Sequence, residues 1–305
     1  MFATGFPLPE CRSGAPSVSM DYPPSDASSR LQQSKERVRV ALDTLGERNW
    51  RDAVQQNTPP WMGTQVSPVS RAYYKMWEMG QTCGFAKPGA VAHIAEAPGG
   101  FVEACQDLYG DIKQRAQSWT RGPTWHAKIM AMSGVILRAG DGNLIDSVTR
   151  RSVIDAFNAD GPYDLVTADG ASAMDHSKLE AEAIELLRAE SEVALSILAA
   201  GGTFILKVFE CSEMETIGLI ASLCACFDEA LIIKPTHSRP TNSERYIVAS
   251  GFRPDAPRDS PVREDWLIAA RSIFDKMCVE QTLALDGALT RATMSTSSRP
   301  THRKR

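Results

Sequence analysis

The apolar positions of this chain change their period several times. Leu31, Val38, Leu42 and Leu45 recur at helical spacing and predict a helix over roughly 29–56, ended by Pro59-Pro60. A second helical run, SRAYYKMWEMGQ, begins near Ser70 and stops at Gly84. From Val91 onward, short apolar runs alternate with amphipathic ones. The pattern predicts strands at 91–95, 125–132, 163–168, 203–209, 229–234 and 245–250, with helices at 101–109, 149–158, 177–199, 213–226 and 261–283. The helix at 177–199 carries Ala183, Leu186, Leu187, Ala194, Leu195 and Leu198, and Gly201-Gly202 is expected to close it. Such alternation predicts an α/β fold: a mostly parallel central sheet with helices on both faces.

The two ends differ from this middle. Residues 1–29 are rich in Pro, Ser and Gly and read as a disordered arm, with a helical extension over 30–67. The α/β domain is expected over 68–286. Residues 287–305 carry Arg and Lys without an acid and read as a mobile basic tail, either solvated or touching RNA. A net charge of −4 argues against wholesale wrapping of nucleic acid, so any RNA contact must come from a local basic patch. The seven cysteines are scattered, and Cys224 and Cys226 are too isolated to suggest zinc. With no leader pattern and no apolar run near the roughly 18 residues that cross a bilayer, the sequence suggests a soluble intracellular protein with reduced core thiols.

Ligands of open α/β sheets sit outside the carboxyl ends of the strands, so the residues closing each strand carry the chemistry. The first strand runs into HIAEAPGGFVEA, in which a glycine pair between strand and helix lets backbone approach a ligand and leaves helix N–H groups free for it. YDLVTA ends in Asp169-Gly170, and GTFILKVFE carries Lys207 between Leu206 and Val208. SRPTNSERY supplies Arg239, Glu244 and Arg245 before the last strand, and SRAYYKMWE supplies Arg71 and Lys75. Singly, each has a structural explanation: Asp169-Gly170 a turn, Lys207 a snorkelling side chain, Glu244 a surface charge. Together, the strand ends converge on one edge and bring two lysines and two carboxylates close to one another.

In order and spacing, the segments SRAYYKMWE, EAPGGF, DLVTADGA, GTFILKVFE and KPTHSRPTNSERYIV resemble the FtsJ-like RNA 2′-O-methyltransferases, and most closely the branch that methylates messenger RNA caps. The resemblance spans roughly 68–252 and implies a Rossmann-like methyltransferase fold with S-adenosylmethionine as cofactor. It implies a Lys-Asp-Lys-Glu tetrad at Lys75, Asp169, Lys207 and Glu244. Cofactor contacts are expected at Glu96, Pro98, Gly99, Gly100, Phe101 and Asp169. No acid closes a second strand in TWHAKIMAMSG, so Asp141 of AGDGNLID is expected on the adenine side, with Asp146 in reserve.

The expected chemistry is simple. A ribose 2′-hydroxyl needs help losing its proton and must be held in line with an electrophilic methyl group. Lys207, pressed among apolar neighbours and a second lysine, is expected to have a lowered pKa and to act as base. Asp169 would orient it, while Lys75 and Glu244 would fix the ribose; no metal is required. Arg71, Arg239 and Arg245 are expected to line an RNA groove, and Trp50, Trp61 and Trp125 are candidates for stacking on a cap guanine. A ribosomal or transfer RNA substrate is the alternative within the class, and an inactive RNA-binding scaffold the alternative outside it. A dinucleotide oxidoreductase is excluded, because APGGF lacks the G-x-G-x-x-G order.

Overall fold

Seven strands form one sheet in the order β1 (Thr4–Pro7), β6 (Phe227–Lys234), β7 (Arg245–Phe252), β5 (Leu198–Val208), β4 (Tyr163–Ala168), β2 (Ala90–Ile94) and β3 (Lys113–Ala116). They belong to a computed structural model that describes residues 4–10, 23–55, 67–171, 179–257 and 263–297. β3, β2, β4 and β5 are mutually parallel, whereas β7 is antiparallel to both β5 and β6, and β1 is antiparallel to β6. The chain leaves β2 toward β3 and then returns to β4 on the other side. This reversal of strand order opens a crevice beyond the carboxyl ends of β2 and β4.

Alternate residues of each central strand enter different cores. Val91, Leu165, Ile205, Tyr246 and Val248 face α3 (Ala72–Cys83) and α4 (Gly100–Tyr109). Ala92, Val166, Phe204, Leu206 and Ile247 share the opposite core with α6 (Ser147–Asn158), α7 (Leu179–Ile197), α8 (Met214–Cys224) and the first half of α9 (Glu264–Ser297). Burial on both faces explains why these strands read as nearly continuous apolar runs. Helices on both faces of a largely parallel α/β sheet are as expected.

Several elements depart from the expectation. The segment 125–132 holds the short helix α5 (Ala127–Met130), and the strand beside β2 is instead the polar KQRA of β3. Lys113 and Arg115 pair with Asp160, while Gln114 bonds the buried His93, so this edge strand follows polar contacts rather than an apolar alternation. Gly201-Gly202 do not cap α7. They lie in the irregular start of β5, where the register against β4 shifts between Tyr163 and Leu165.

Both expected appendages also carry structure. In the arm, β1 pairs with β6, Leu8 is buried, and the Trp266 indole donates to the Pro9 carbonyl at 2.8 Å. Gly46 divides the first helical run into α1 (Asp26–Leu45) and α2 (Glu47–Gln55). The expected tail is helical to Ser297, as the last turns of α9, and residues 298–305 lie outside the described ones. Leu285, Ala288, Leu289 and Ala292 recur at helical spacing, and Leu285 and Ala292 pack against residues of α1 and α2. Composition concealed that stripe. No helix among the described residues is long and apolar enough to cross a membrane.

Leu285, 4 % exposed and packed beside Leu31 and Val38, tests the docking of this helix. Leu285→Ala is expected to cost about 2 kcal/mol or more in chemical denaturation, the loss typical of a buried leucine. A loss below roughly 0.5 kcal/mol, the range of surface substitutions, would show that α9 is not held there.

Candidate active site

The antiparallel turn into β7 determines which residues meet. Lys207 pairs with Tyr246 and Val208 with Arg245, so Glu244, just before β7, stands beside the carboxyl end of β5. Asp169 follows β4 directly, and Lys75 reaches over from the first turn of α3. The expected four side chains do come together. Lys75 Nζ lies 2.7 and 2.8 Å from the two Glu244 carboxylate oxygens. Lys207 Nζ donates to the Asp169 carbonyl at 2.7 Å and lies 3.1 Å from its Oδ1. Tyr246, which sequence reasoning missed, joins the pairs: its hydroxyl donates to Asp169 Oδ1 at 2.8 Å and lies 3.5 Å from Lys75 Nζ. Strand alternation was its signal, because Tyr246 is two residues past Glu244 and shares the face of Ile205.

The electrostatics follow from burial and pairing. Burial would raise Glu244, but Lys75 and Lys207 hold its carboxyl down at about 2. Burial likewise works to lower Lys207, and there the sequence expectation fails. Asp169 and Glu244, joined by Glu190 once it is ionised, outweigh desolvation and raise the lysine above its ordinary value. Lys207 is therefore an ammonium in the ligand-free protein, held by carboxylates rather than stripped by an apolar setting. Tyr246 is pushed far up by burial and by Asp169, so its hydroxyl stays a donor.

The glycine turn lies across the crevice. Glu96 is 3 % exposed; its Oε1 accepts the Phe101 N–H at 2.7 Å, and its Oε2 is buried without a partner. Burial, then the neighbouring Asp169, raises this carboxyl well above the usual range. Gly99 has φ +108°, and an added Cβ would come 2.5 Å from Ile129 Cγ1. Gly100 abuts Ser70 and the Tyr73 N–H at the start of α3. The glycine pair thus serves close packing of α3 and α5 around the turn, an internal reason that sequence alone did not supply. Pro98 lies in the turn and its carbonyl accepts the His126 N–H; the Phe101 ring stacks 5.9 Å from Tyr246.

Other candidates separate. Asp141 is exposed, and its carboxylate accepts the Asn143 N–H inside its own loop; Asp146 is the N-cap of α6, bonding the Thr149 N–H at 2.8 Å. Arg71 donates to the His237 carbonyl at 3.0 Å; burial, and then the neighbouring Arg239, lower its guanidinium from the ordinary value. Arg245 leaves the expected RNA groove. It is 2 % exposed, and its guanidinium donates to the Phe209 and Ser243 carbonyls at 3.1 and 3.0 Å. With Tyr246 facing the site, its neighbour must face the opposite side of the sheet, toward Gln281 of α9. Trp125 packs beside Ile129 and Val102, and Trp61 lies outside the described residues.

Two supports were invisible in the sequence. Lys234 Nζ is buried and donates to the Asn242 carbonyl, Asn242 Oδ1 and the Glu244 carbonyl at 2.7, 2.5 and 2.7 Å, fixing the loop that delivers Glu244. Glu78 of α3 accepts the Thr236 N–H and hydroxyl at 3.0 and 2.8 Å and holds the other end of that loop.

Comparison with known proteins gives this arrangement a context. The model of the FtsJ-like methyltransferase family matches residues 68–252. A fruit-fly cap-specific mRNA (nucleoside-2′-O-)-methyltransferase 2 is 26 % identical over 76 % of this chain and 38 % of its own length. A zebrafish cap-specific mRNA (nucleoside-2′-O-)-methyltransferase 1 is 35 % identical over 39 % of this chain and 15 % of its own length. The ribosomal RNA large subunit methyltransferase E of Nitrobacter hamburgensis is 28 % identical over 71 % of this chain and 95 % of its own. The chain therefore spans well under half the length of these cap-specific relatives.

Glu190 gives the site a pH signature. Burial raises its carboxyl from 4.5 to about 8, so the folded protein holds a proton there that the unfolded chain releases. Its contribution is full below about pH 4.5 and is lost as pH rises to about 8. Glu190→Gln is expected to remove that slope: wild-type Tm should fall relative to the variant between these pH values in thermal scans. Parallel curves would place Glu190 in a more polar setting.

Proposed function

Because the chain belongs to the FtsJ-like methyltransferase family, we propose that it transfers a methyl group from S-adenosylmethionine to a ribose 2′-hydroxyl of RNA, at the first transcribed nucleotides of capped messenger RNA. The convergence of Lys75, Asp169, Lys207 and Glu244 on one sheet edge carries the transfer chemistry. The crevice suits the cofactor: Glu96 presents a buried carboxyl oxygen lacking a partner, and Asp169 a carboxylate, to a molecule that carries an ammonium and a sulfonium. Glu96, the Pro98–Phe101 turn and Asp169 would hold it, with Asp141 toward the adenine. When bound, S-adenosylmethionine supplies an electrophilic methyl group.

The protein's own residues would position the acceptor and manage its proton. Lys75, paired with Glu244, forms one wall for the ribose, and the Tyr246 hydroxyl keeps Asp169 turned toward Lys207. Lys207 holds its proton because carboxylates surround it, so any cation brought against Asp169 weakens that hold. A lysine relieved in this way becomes competent to accept the hydroxyl proton, or to bind the developing oxyanion. Its apolar flanks, Leu206 and Val208, are fully buried on the other face and keep it in place.

The capped end is supported by a cleft of about 490 Å³ between α1, α2 and the loop that precedes Glu244. Trp50 lies in it with Lys35, Arg39, Arg51, Arg239 and Asn242. Cations suit the phosphates of a 5′–5′ bridge, and an indole suits a positively charged methylguanine. Among the described residues the guanidinium groups of Arg51 and Arg239 have no hydrogen bond or ion pair.

Labelled S-adenosylmethionine incubated with capped, uncapped and ribosomal RNA, followed by mapping of the methylated nucleotide, tests both levels. Label is expected at the 2′-oxygen of the first transcribed nucleotides of the capped transcript, and Lys207→Ala should lose at least about a hundredfold in transfer with cofactor affinity kept. Label on ribosomal RNA alone would overturn the cap assignment, and full transfer by Lys207→Ala would overturn the tetrad.

A further inference from the structure

The peptide unit between Asp169 and Gly170 is held at both ends. Its carbonyl accepts the Lys207 ammonium at 2.7 Å, and its N–H donates to Glu190 Oε1 at 3.1 Å. Glu190 lies in α7, on the opposite side of the sheet from Lys75, and is 0 % exposed. We propose that Glu190 is a positioning residue of the transfer site, fixing through this one peptide where Asp169 and Lys207 stand and how readily Lys207 gives up its proton. The inference rests on the assignment of Lys207 and Asp169 to the transfer step.

Three observations carry it. The first is the fit. A Cβ on Gly170 would run into the Glu190 carboxyl and come 3.1 Å from the Ala95 methyl, so no other residue fits this turn unchanged. Ala95 itself has φ +53°, a left-handed conformation unusual for alanine, at the point where β2 gives way to the glycine turn. Glu190, Gly170 and Ala95 are thus stacked behind the crevice, and displacing the carboxyl would free a turn that carries both Asp169 contacts.

The second is the company Glu190 keeps. The charged groups acting on it are Lys207 from β5 and Asp169 from the end of β4, with the Gly170 N–H as its hydrogen-bond donor. The third is its unused capacity. Oε2 is buried with no partner, which suits a protonated acid, and burial raises the carboxyl to about 8. Near neutral pH Glu190 is then an uncharged acceptor for the peptide. Above about 8 it becomes another carboxylate beside Lys207 and makes that ammonium harder to deprotonate. Glu190 is closed off from solvent behind the Gly170 turn, so it acts only through Gly170 and through its charge.

Two variants separate the parts. Glu190→Gln keeps an oxygen for the Gly170 N–H but cannot ionise, while Glu190→Leu removes both. With S-adenosylmethionine and a capped RNA transcript, Glu190→Gln is expected to stay within about threefold of wild-type kcat at pH 7 and to lose an alkaline decline centred near pH 8. Glu190→Leu should lose at least about tenfold in kcat, with KM for both substrates within about twofold, because it leaves a buried N–H unsatisfied. The Gly170 amide resonance gives a readout that needs no RNA. In wild type it should shift with a midpoint near pH 8, and in Glu190→Gln it should stay still.

A Gly170 amide that does not titrate, or a folded Glu190→Leu with wild-type kcat and pH profile, overturns the proposal. If Glu190→Leu does not fold, the Glu190→Gln profile and the amide titration decide. If Lys207→Ala retains full transfer, the tetrad assignment has failed, and the role of Glu190 in the transfer site fails with it even where the Gly170 amide titrates.

Discussion

A lysine ammonium buried at the end of a sheet strand is costly unless carboxylates and hydrogen-bond acceptors surround it. Lys207 is 6 % exposed, and the carboxyl edge of the sheet is organised around keeping it charged. The turn after β4 brings the Asp169 carboxylate and its carbonyl to the ammonium. The antiparallel β7 brings Tyr246 to fix Asp169 and Glu244 to add a second negative charge. Lys75 from α3 then balances Glu244. Removing Asp169 or Glu244 takes the paired carboxylate from a buried lysine, Lys207 or Lys75. Glu78 and Lys234, which look structural, are part of the same constraint because they hold the loop that delivers Glu244.

Under the proposed function, the same arrangement would let a site of ordinary charges serve the transfer of a methyl cation equivalent. Two ion pairs leave the crevice nearly neutral, and the further buried acids, Glu96 and Glu190, are raised toward their uncharged forms. A cationic ligand bound there would meet carboxyl groups that gain by its arrival, and Lys207 would lose part of what holds its proton. The cleft beside α1 and α2 lies against the loop before Glu244, so a substrate end lodged there would be coupled to the carboxyl edge of the sheet by a few residues of backbone.

Much of this was legible in the sequence, for identifiable reasons. The parallel strands are buried on both faces and stand out as apolar runs, and their last residues must line one edge, which gathers Glu96, Asp169 and Lys207 without any tertiary information. What failed did so where a side chain's environment is set from elsewhere in the chain. β3 is held by polar contacts to Asp160 and His93, so its residues carry no strand period. Arg245 looked like part of a basic patch, but the alternation that brings Tyr246 into the site sends Arg245 into the opposite core. The last turns of α9 were hidden by the basic composition of 287–305 as a whole, because the apolar stripe that docks them is built largely from alanine and leucine on one side. Glu190 looks like any surface acid of an amphipathic helix. Only the turn of a distant strand shows that it is buried.

The central claim is that carboxylates, not desolvation, decide the charge of Lys207. Its direct test is the ε-ammonium titration of Lys207 in the ligand-free protein, followed by NMR in wild type and in Asp169→Asn. The account predicts a wild-type pKa above the ordinary 10.5 and a clear fall in the variant. A wild-type value below 10.5, unmoved by Asp169→Asn, would mean that burial governs the lysine and that the site is built on a different balance.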